Sequence, residues 1–185
     1  MKIVSDLESS KIPAGGVCAI GNFDGVHLGH QFILKKLMEV AENLKAPSLV
    51  LTFHPHPFKV LYQEKEVKLI CTREQKNKII SNSGIDFLVE IPFDLNFSKI
   101  SAREFIEKIL VEKLKVKGIV VGLNFTFGNR KEGTAGLLKR ERKKYGFFVE
   151  VVKPFKKNNL AISSTNIRKS LIEGKIENAN EMLGR

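Results

Sequence analysis

Short apolar runs and stretches of helical spacing take turns along this chain, and that alternation restricts its fold more than any other feature. Val17-Cys18-Ala19-Ile20, Ser48 to Phe53, Phe87 to Ile91, Gly118-Ile119-Val120-Val121-Gly122 and Phe147 to Val152 are apolar at nearly every position rather than at alternate ones. A strand of that kind is buried on both faces, as in a parallel sheet sandwiched between helices. Helical spacing from about His30 to Leu44 puts Phe32, Ile33, Leu37, Val40, Ala41 and Leu44 on one face. Thr72-x-x-Gln75 and Ser101-x-x-Glu104 are capping-box patterns, opening helices to about Ser83 and Leu114. Further helices are predicted from about Thr134 to Tyr145, from Ser164 to Ile172 and from Ile176 to Leu183. With right-handed crossovers, these elements make a doubly wound α/β domain around a parallel sheet of about five strands. Ligands in such a sheet sit beyond the carboxyl ends of the strands, so the segment after each strand is a candidate site.

The 185 residues fit one domain, with no internal repeat, linker or low-complexity segment. No run of eighteen apolar residues is present, and Met1-Lys2-Ile3-Val4-Ser5-Asp6 lacks a signal-peptide core. Cys18 and Cys71 are the only cysteines, and both read as buried free thiols in a reducing cytoplasm. The net charge of +11 fits a nucleic-acid binder, an enzyme of polyanionic substrates, or simply a lysine-rich surface. The densest basic run, Lys139 to Lys144, falls on a predicted helix and reads as a solvated face. Neither an aromatic RNA-binding motif nor a helix-turn-helix pattern accompanies the charge, so no nucleic-acid partner is expected.

The first apolar run exits into Gly21-Asn22-Phe23-Asp24-Gly25-Val26-His27-Leu28-Gly29-His30. This is not a Walker A loop, because Asn22-Phe23 stands where Lys-Ser/Thr is required. Its glycines let backbone approach a phosphate, and its two imidazoles open a helix on the same side at i, i+3. Histidine donors there can hold nucleotide phosphates and stabilise charge that develops during transfer. Asn22 and Asp24 can equally hold the turn together. A zinc site from His27, His30, His54 and His56 is the competing reading, but no cysteine or carboxylate pattern completes it. Near the other end, Ser163, Ser164 and Thr165 form a helix start whose hydroxyls and N–H groups either cap it or bind an anion. Arg168 follows one turn later, with a guanidinium suited to phosphate.

H-x-G-H after a first strand is the signature of the nucleotidylyltransferase superfamily, and further segments narrow the resemblance. Gly21 to Gln31, Thr52-Phe53-His54-Pro55-His56-Pro57, Val121-Gly122-Leu123-Asn124-Phe125-Thr126-Phe127-Gly128 and Ile162-Ser163-Ser164-Thr165-Asn166-Ile167-Arg168 resemble, in order, motifs of the prokaryotic bifunctional riboflavin kinase/FMN adenylyltransferases. The resemblance spans nearly the whole chain and implies a Rossmann-like nucleotidylyltransferase fold. Asn124 stands where many members carry Asp. The chain stops at Leu183-Gly184-Arg185, so the reading is an adenylyltransferase domain over residues 1–185 without the kinase module.

That resemblance implies the reaction of Mg²⁺-ATP with FMN to give FAD and pyrophosphate. It implies catalytic roles for His27, His30, Ser164, Thr165 and Arg168. ATP contacts are implied for these residues and for Gly21, Asn22, Phe23, Gly25, Gly29, Gly122, Ile162 and Ser163. Phe53, His54, Pro55 and Pro57 form an apolar-aromatic turn suited to a flat flavin ring, with Asn124 and Phe127 as further flavin contacts. No protein-held metal is implied beyond the magnesium that accompanies ATP.

Overall fold

A computed structural model describes residues 1–185 apart from 8, 10, 63, 65–67, 158 and 159. Along the chain run β1 (Lys2–Val4), β2 (Val17–Ile20), α1 (Leu28–Asn43), β3 (Ser48–His54), α2 (Pro57–Leu61), α3 (Arg73–Ser81) and β4 (Phe87–Pro92). Then follow α4 (Ala102–Glu104), which continues as a π-helical stretch over Phe105–Lys113, β5 (Gly118–Gly122), β6 (Thr126–Phe127), β7 (Gly133–Thr134) and α5 (Ala135–Tyr145). The last elements are β8 (Phe148–Val152), β9 (Lys156–Lys157), β10 (Leu160–Ala161), α6 (Ser164–Ile172) and α7 (Ile176–Leu183).

The main sheet has six strands in the order β1-β4-β3-β2-β5-β8, every neighbouring pair parallel. The expected doubly wound α/β arrangement is present, with one strand more than the five predicted. The extra strand is β1, three residues at the sheet edge that are too few to show a period. From β2 the chain winds outward through β3 and β4, and later returns to lay β5 on the other side of β2. The order therefore reverses between β2 and β5, and the segments leaving those strands flank the switch-point crevice.

The continuous apolar runs now have a geometric reason. Cys18, Ile20, Leu49, Leu51, Ile119 and Val121 point into one core with Phe105, Ile106, Ile109 and Leu110 of the π-helical stretch and Leu138 of α5. Their chain neighbours Val17, Ala19, Val50 and Val120 point into the other, with Leu34, Leu37 and Ala41 of α1 and Ile80 of α3. Successive strand residues face opposite sides, so both sets must be apolar. A smaller cluster joins Ile162, Ile167, Ala179, Met182 and Leu183 to Leu28 and Ile70. That cluster docks α6 and α7 on the start of α1.

Both capping boxes form, Thr72 with Gln75 and Ser101 with Glu104. Helix α1 starts at Leu28, two residues before the predicted His30, because His27 itself serves as its cap. Cys18 is a buried free thiol, and burial pushes its pKa up to about 12. Cys71 is free but only partly buried, a correction to the expectation that both are buried, because its Sγ accepts the Gly25 N–H at a turn surface. Among the described residues no helix is long and apolar enough to cross a membrane.

Candidate active site

The turn after β2 is a tight coil of unusual backbone. Phe23, Gly25 and Val26 have φ of 52°, 78° and 39°. At Gly25 a Cβ would also lie 2.8 Å from Cγ2 of Ile70, so glycine is demanded by conformation and by packing together. Phe23 is 1% exposed and packs under the turn, 5.2 Å from the His30 ring. Any contact of Phe23 with a nucleotide is thus through its backbone.

The His27 and His30 rings stack at 3.6 Å with 14° between planes. His27 Nδ1 accepts the His30 backbone N–H at 3.2 Å, which leaves the proton of the neutral ring on Nε2 as a donor. Gly29 leaves room for the His27 ring, since a Cβ there would sit 3.1 Å from its Cε1 and press on it. Burial lowers the His27 pKa to about 4 and draws His30 well below its usual value, with the neighbouring His27 adding to the effect. The pair is therefore neutral at pH 7. His30 Nδ1 is buried without a hydrogen-bond partner among the described residues.

Three histidines, one buried and two partly buried, impose a pH dependence, because burial also lowers His56 to about 4. Below the unfolded value of 6.5 the unfolded chain takes up protons that the folded one refuses. Stability should be level above that pH and fall as pH drops toward 4. The slope should reach up to about 1.4 kcal/mol per pH unit for each ring. Urea melts at about pH 7 and about pH 5 check this, and equal stability at both would show that these rings titrate normally.

Asp24 ties the turn to the rest of the molecule. Its carboxylate accepts the Ile70 N–H at 3.0 and 3.3 Å and the Arg168 guanidinium at 2.6 Å. Arg168 Nε also donates to the Lys68 carbonyl at 3.0 Å. Ser164 Oγ donates to the Asp24 carbonyl at 3.0 Å, and Arg185 to the Gly25 carbonyl at 2.8 Å. Ser163 caps α6 by accepting the Asn166 N–H at 3.2 Å, while Thr165 is exposed on the first turn. The Ile162 carbonyl approaches Gly29. The starts of α1 and α6, about 140 residues apart, thus converge.

Beside this junction, beyond the ends of β2 and β3, lies a cleft of about 450 Å³. Phe53, His54 and Pro55 line it, together with Asn22, Asp24 and residues from the first turns of α2 and α3. Pro57 does not line it; it is the first residue of α2, whose cap is His56 Nδ1 accepting the Phe58 N–H at 3.1 Å. Phe127 is buried against Phe125 and Phe105 instead, and Asn124 is exposed in the loop that leaves β5 with Gly122. None of the residues of the β5 loop lines the cleft. Among the described residues, no three or more His, Cys, Asp and Glu side chains stand together as metal ligands.

The family model for FAD synthetase matches residues 9–166. The chain belongs to the FAD synthetase family. A bifunctional riboflavin kinase/FMN adenylyltransferase of Buchnera aphidicola subsp. Schizaphis graminum is 39% identical over 187 residues, which covers all of this chain and 60% of that protein. The protein of the same name from Escherichia coli strain K12 is 33% identical over 186 residues, 100% of this chain and 59% of its own length. The chain thus spans about 60% of the length of these curated relatives. A crystal structure titled as a macrolide-efflux protein from Streptococcus pneumoniae superposes with TM-score 0.84 at 27% identity, covering 98% of this chain and 59% of that one. A pantoate-beta-alanine ligase from Francisella tularensis shares the fold, with TM-score 0.56 at 17% identity over 100% of this chain and 78% of that one.

Several residues in and behind this family member's cleft went unpredicted. Glu90, 1% exposed within β4, accepts from the Arg73 guanidinium at 2.5 Å and from Asn77 at 3.3 Å. Burial alone would raise its pKa, but the Arg73 hydrogen bond and charge outweigh that and hold it below the ordinary carboxylate value. Lys76 is 8% exposed, and its Nζ donates to Thr52 Oγ1 at 3.2 Å. That hydroxyl in turn donates to the Asn22 carbonyl at 3.2 Å. One signal was legible: a glutamate inside the apolar run Phe87 to Ile91 must find a buried cation.

Proposed function

We propose that this chain is an FMN adenylyltransferase, moving AMP from ATP to the phosphate of FMN and releasing FAD and pyrophosphate. The observation that carries the reading is the junction itself: a neutral, stacked His27–His30 pair beside Ser164 and Arg168, next to an aromatic cleft. An FMN phosphate oxygen attacks the α-phosphorus of ATP, a P–O bond forms, and the bond to the bridging oxygen breaks. The electron pair leaves on pyrophosphate. The attacking oxygen is already ionised, so the reaction needs neither a protein nucleophile nor a base.

The protein contributes position and charge. His27 Nε2–H and the N–H groups at the starts of α1 and α6 donate to phosphate oxygens. A neutral donor pair keeps its hydrogens without having to lose a proton to the substrate. Arg168 exchanges Asp24 for the β- and γ-phosphates and follows the charge onto pyrophosphate. Phe53, His54 and Pro55 offer a wall for the isoalloxazine ring. Magnesium would enter with ATP as part of the substrate. The positive net charge of +11 favours the encounter with two polyanions. The enzyme works in the cytoplasm, where Cys18 and Cys71 stay reduced, and takes no nucleic-acid partner.

Incubation with Mg-ATP and FMN, followed by chromatography with fluorescence detection, is expected to show FAD and an equal amount of pyrophosphate. Turnover of nicotinate mononucleotide or phosphopantetheine with none of FMN would reject the acceptor.

A further inference from the structure

We propose that Lys76 is the residue that receives the monoester phosphate of the flavin acceptor; this deepens, and rests on, the FMN adenylyltransferase reading. Lys76 lies on the inner face of α3, buried with Ile80, and lines the cleft. A buried ammonium is costly unless it is paired or fully hydrogen-bonded. This one has three N–H donors and gives one of them, to the neutral Thr52 hydroxyl. Among the described residues no carboxylate lies within ion-pair distance of it.

The other buried charges nearby are already matched. Arg73 holds Glu90, whose oxygens also take Asn77, and Arg168 holds Asp24. Lys59 is exposed on α2. Lys76 is thus the buried cation of the cleft with donors to spare, and a phosphate dianion supplies the missing charge and acceptors. Burial lowers its pKa, an effect that a bound dianion would reverse.

Position agrees with charge. Through Thr52, Lys76 is one hydroxyl away from the Asn22 carbonyl, in the turn that leads to His27. A phosphate seated on Lys76 therefore sits between the aromatic wall of Phe53, His54 and Pro55 and the nucleotide turn. An acceptor phosphate must occupy that place to attack in line. Lys76 stays an ammonium throughout and moves no proton.

The test compares FMN with riboflavin, which has the same ring and ribityl chain but no phosphate, on the full chain and on Lys76→Met. Calorimetry on the unsubstituted chain should show tighter binding of FMN. Lys76→Met should lose roughly 10- to 100-fold in FMN affinity, with riboflavin and ATP affinities within about two-fold of the original. The KM for FMN should rise accordingly, and Lys76→Arg should recover part of the FMN preference. An unchanged FMN-to-riboflavin ratio in Lys76→Met overturns the proposal. Equal losses for both flavins also overturn it, since they mark cleft packing rather than phosphate binding. Should Lys76→Met fail to fold, the side-chain ¹⁵Nζ resonance of Lys76, identified by its absence in Lys76→Arg, decides. It should shift with FMN and not with riboflavin; equal shifts, or none, overturn the proposal. Failure of the parent reading looks different: the unsubstituted chain would bind no FMN and make no FAD, and the Lys76 assignment would fall with it.

Discussion

His30→Ala is expected to slow AMP transfer by roughly 10²- to 10³-fold while FMN affinity stays nearly unchanged. His30 is the third residue of α1, its ring held between Phe23 and the stacked His27. It does not line the cleft proposed for the flavin, so its loss should spare FMN binding. Among the described residues its buried Nδ1 has no hydrogen-bond partner. A preorganised imidazole donor acts on charge that develops at phosphorus and is absent from the ground state. The measurement is single-turnover FAD formation beside FMN titration. A shape-preserving His30→Gln separates lost chemistry from lost stacking, because it keeps an N–H donor near the same place. Near-normal turnover in His30→Ala would remove the histidine pair from the mechanism.

Asp24→Ala should cost about 3 kcal/mol of folding stability and lower Tm by roughly 6–12 °C. The Asp24 carboxylate, 5% exposed, holds Arg168 at 2.6 Å and the Ile70 N–H at 3.0 Å. Its removal leaves a guanidinium that is 19% exposed without its counter-ion and a backbone donor without its acceptor. Those groups anchor α6 and the segment leading into α3 to the turn after β2. The loss should therefore loosen both the junction of α1 with α6 and one wall of the cleft, and FAD formation should fall with stability. Thermal unfolding by circular dichroism checks the first effect. A variant melting within a degree or two of the original would mean that Asp24 is not the tie its contacts describe.

Much of this architecture was readable along the chain. The apolar runs, the two capping boxes and helices α6 and α7 are local features, decided by residues three or four apart, and they appear where the spacing placed them. The turn after β2 was also readable, because glycine and histidine in that order directly constrain backbone and donors. β1 was not: three residues have no period, and Lys2-Ile3-Val4 is a strand only because β4 offers it an edge. Lys76 was not either. On a helix surface a lysine reads as solvated, and only the packing of α3 against β3 shows that this one is buried.

The sequence by itself determined that the chain is an alternating α/β domain with a glycine- and histidine-rich turn after its first apolar run and a Ser/Thr-rich helix start near its end. Only the tertiary structure decided that these two meet, through Ser164 on the Asp24 carbonyl and Arg168 on its carboxylate. It also decided that the two histidines are stacked and neutral, and that the cleft beside them carries a buried ammonium. Those facts depend on pairings across scores of residues and on which charges lose their water, and neither is a property of any local stretch of chain.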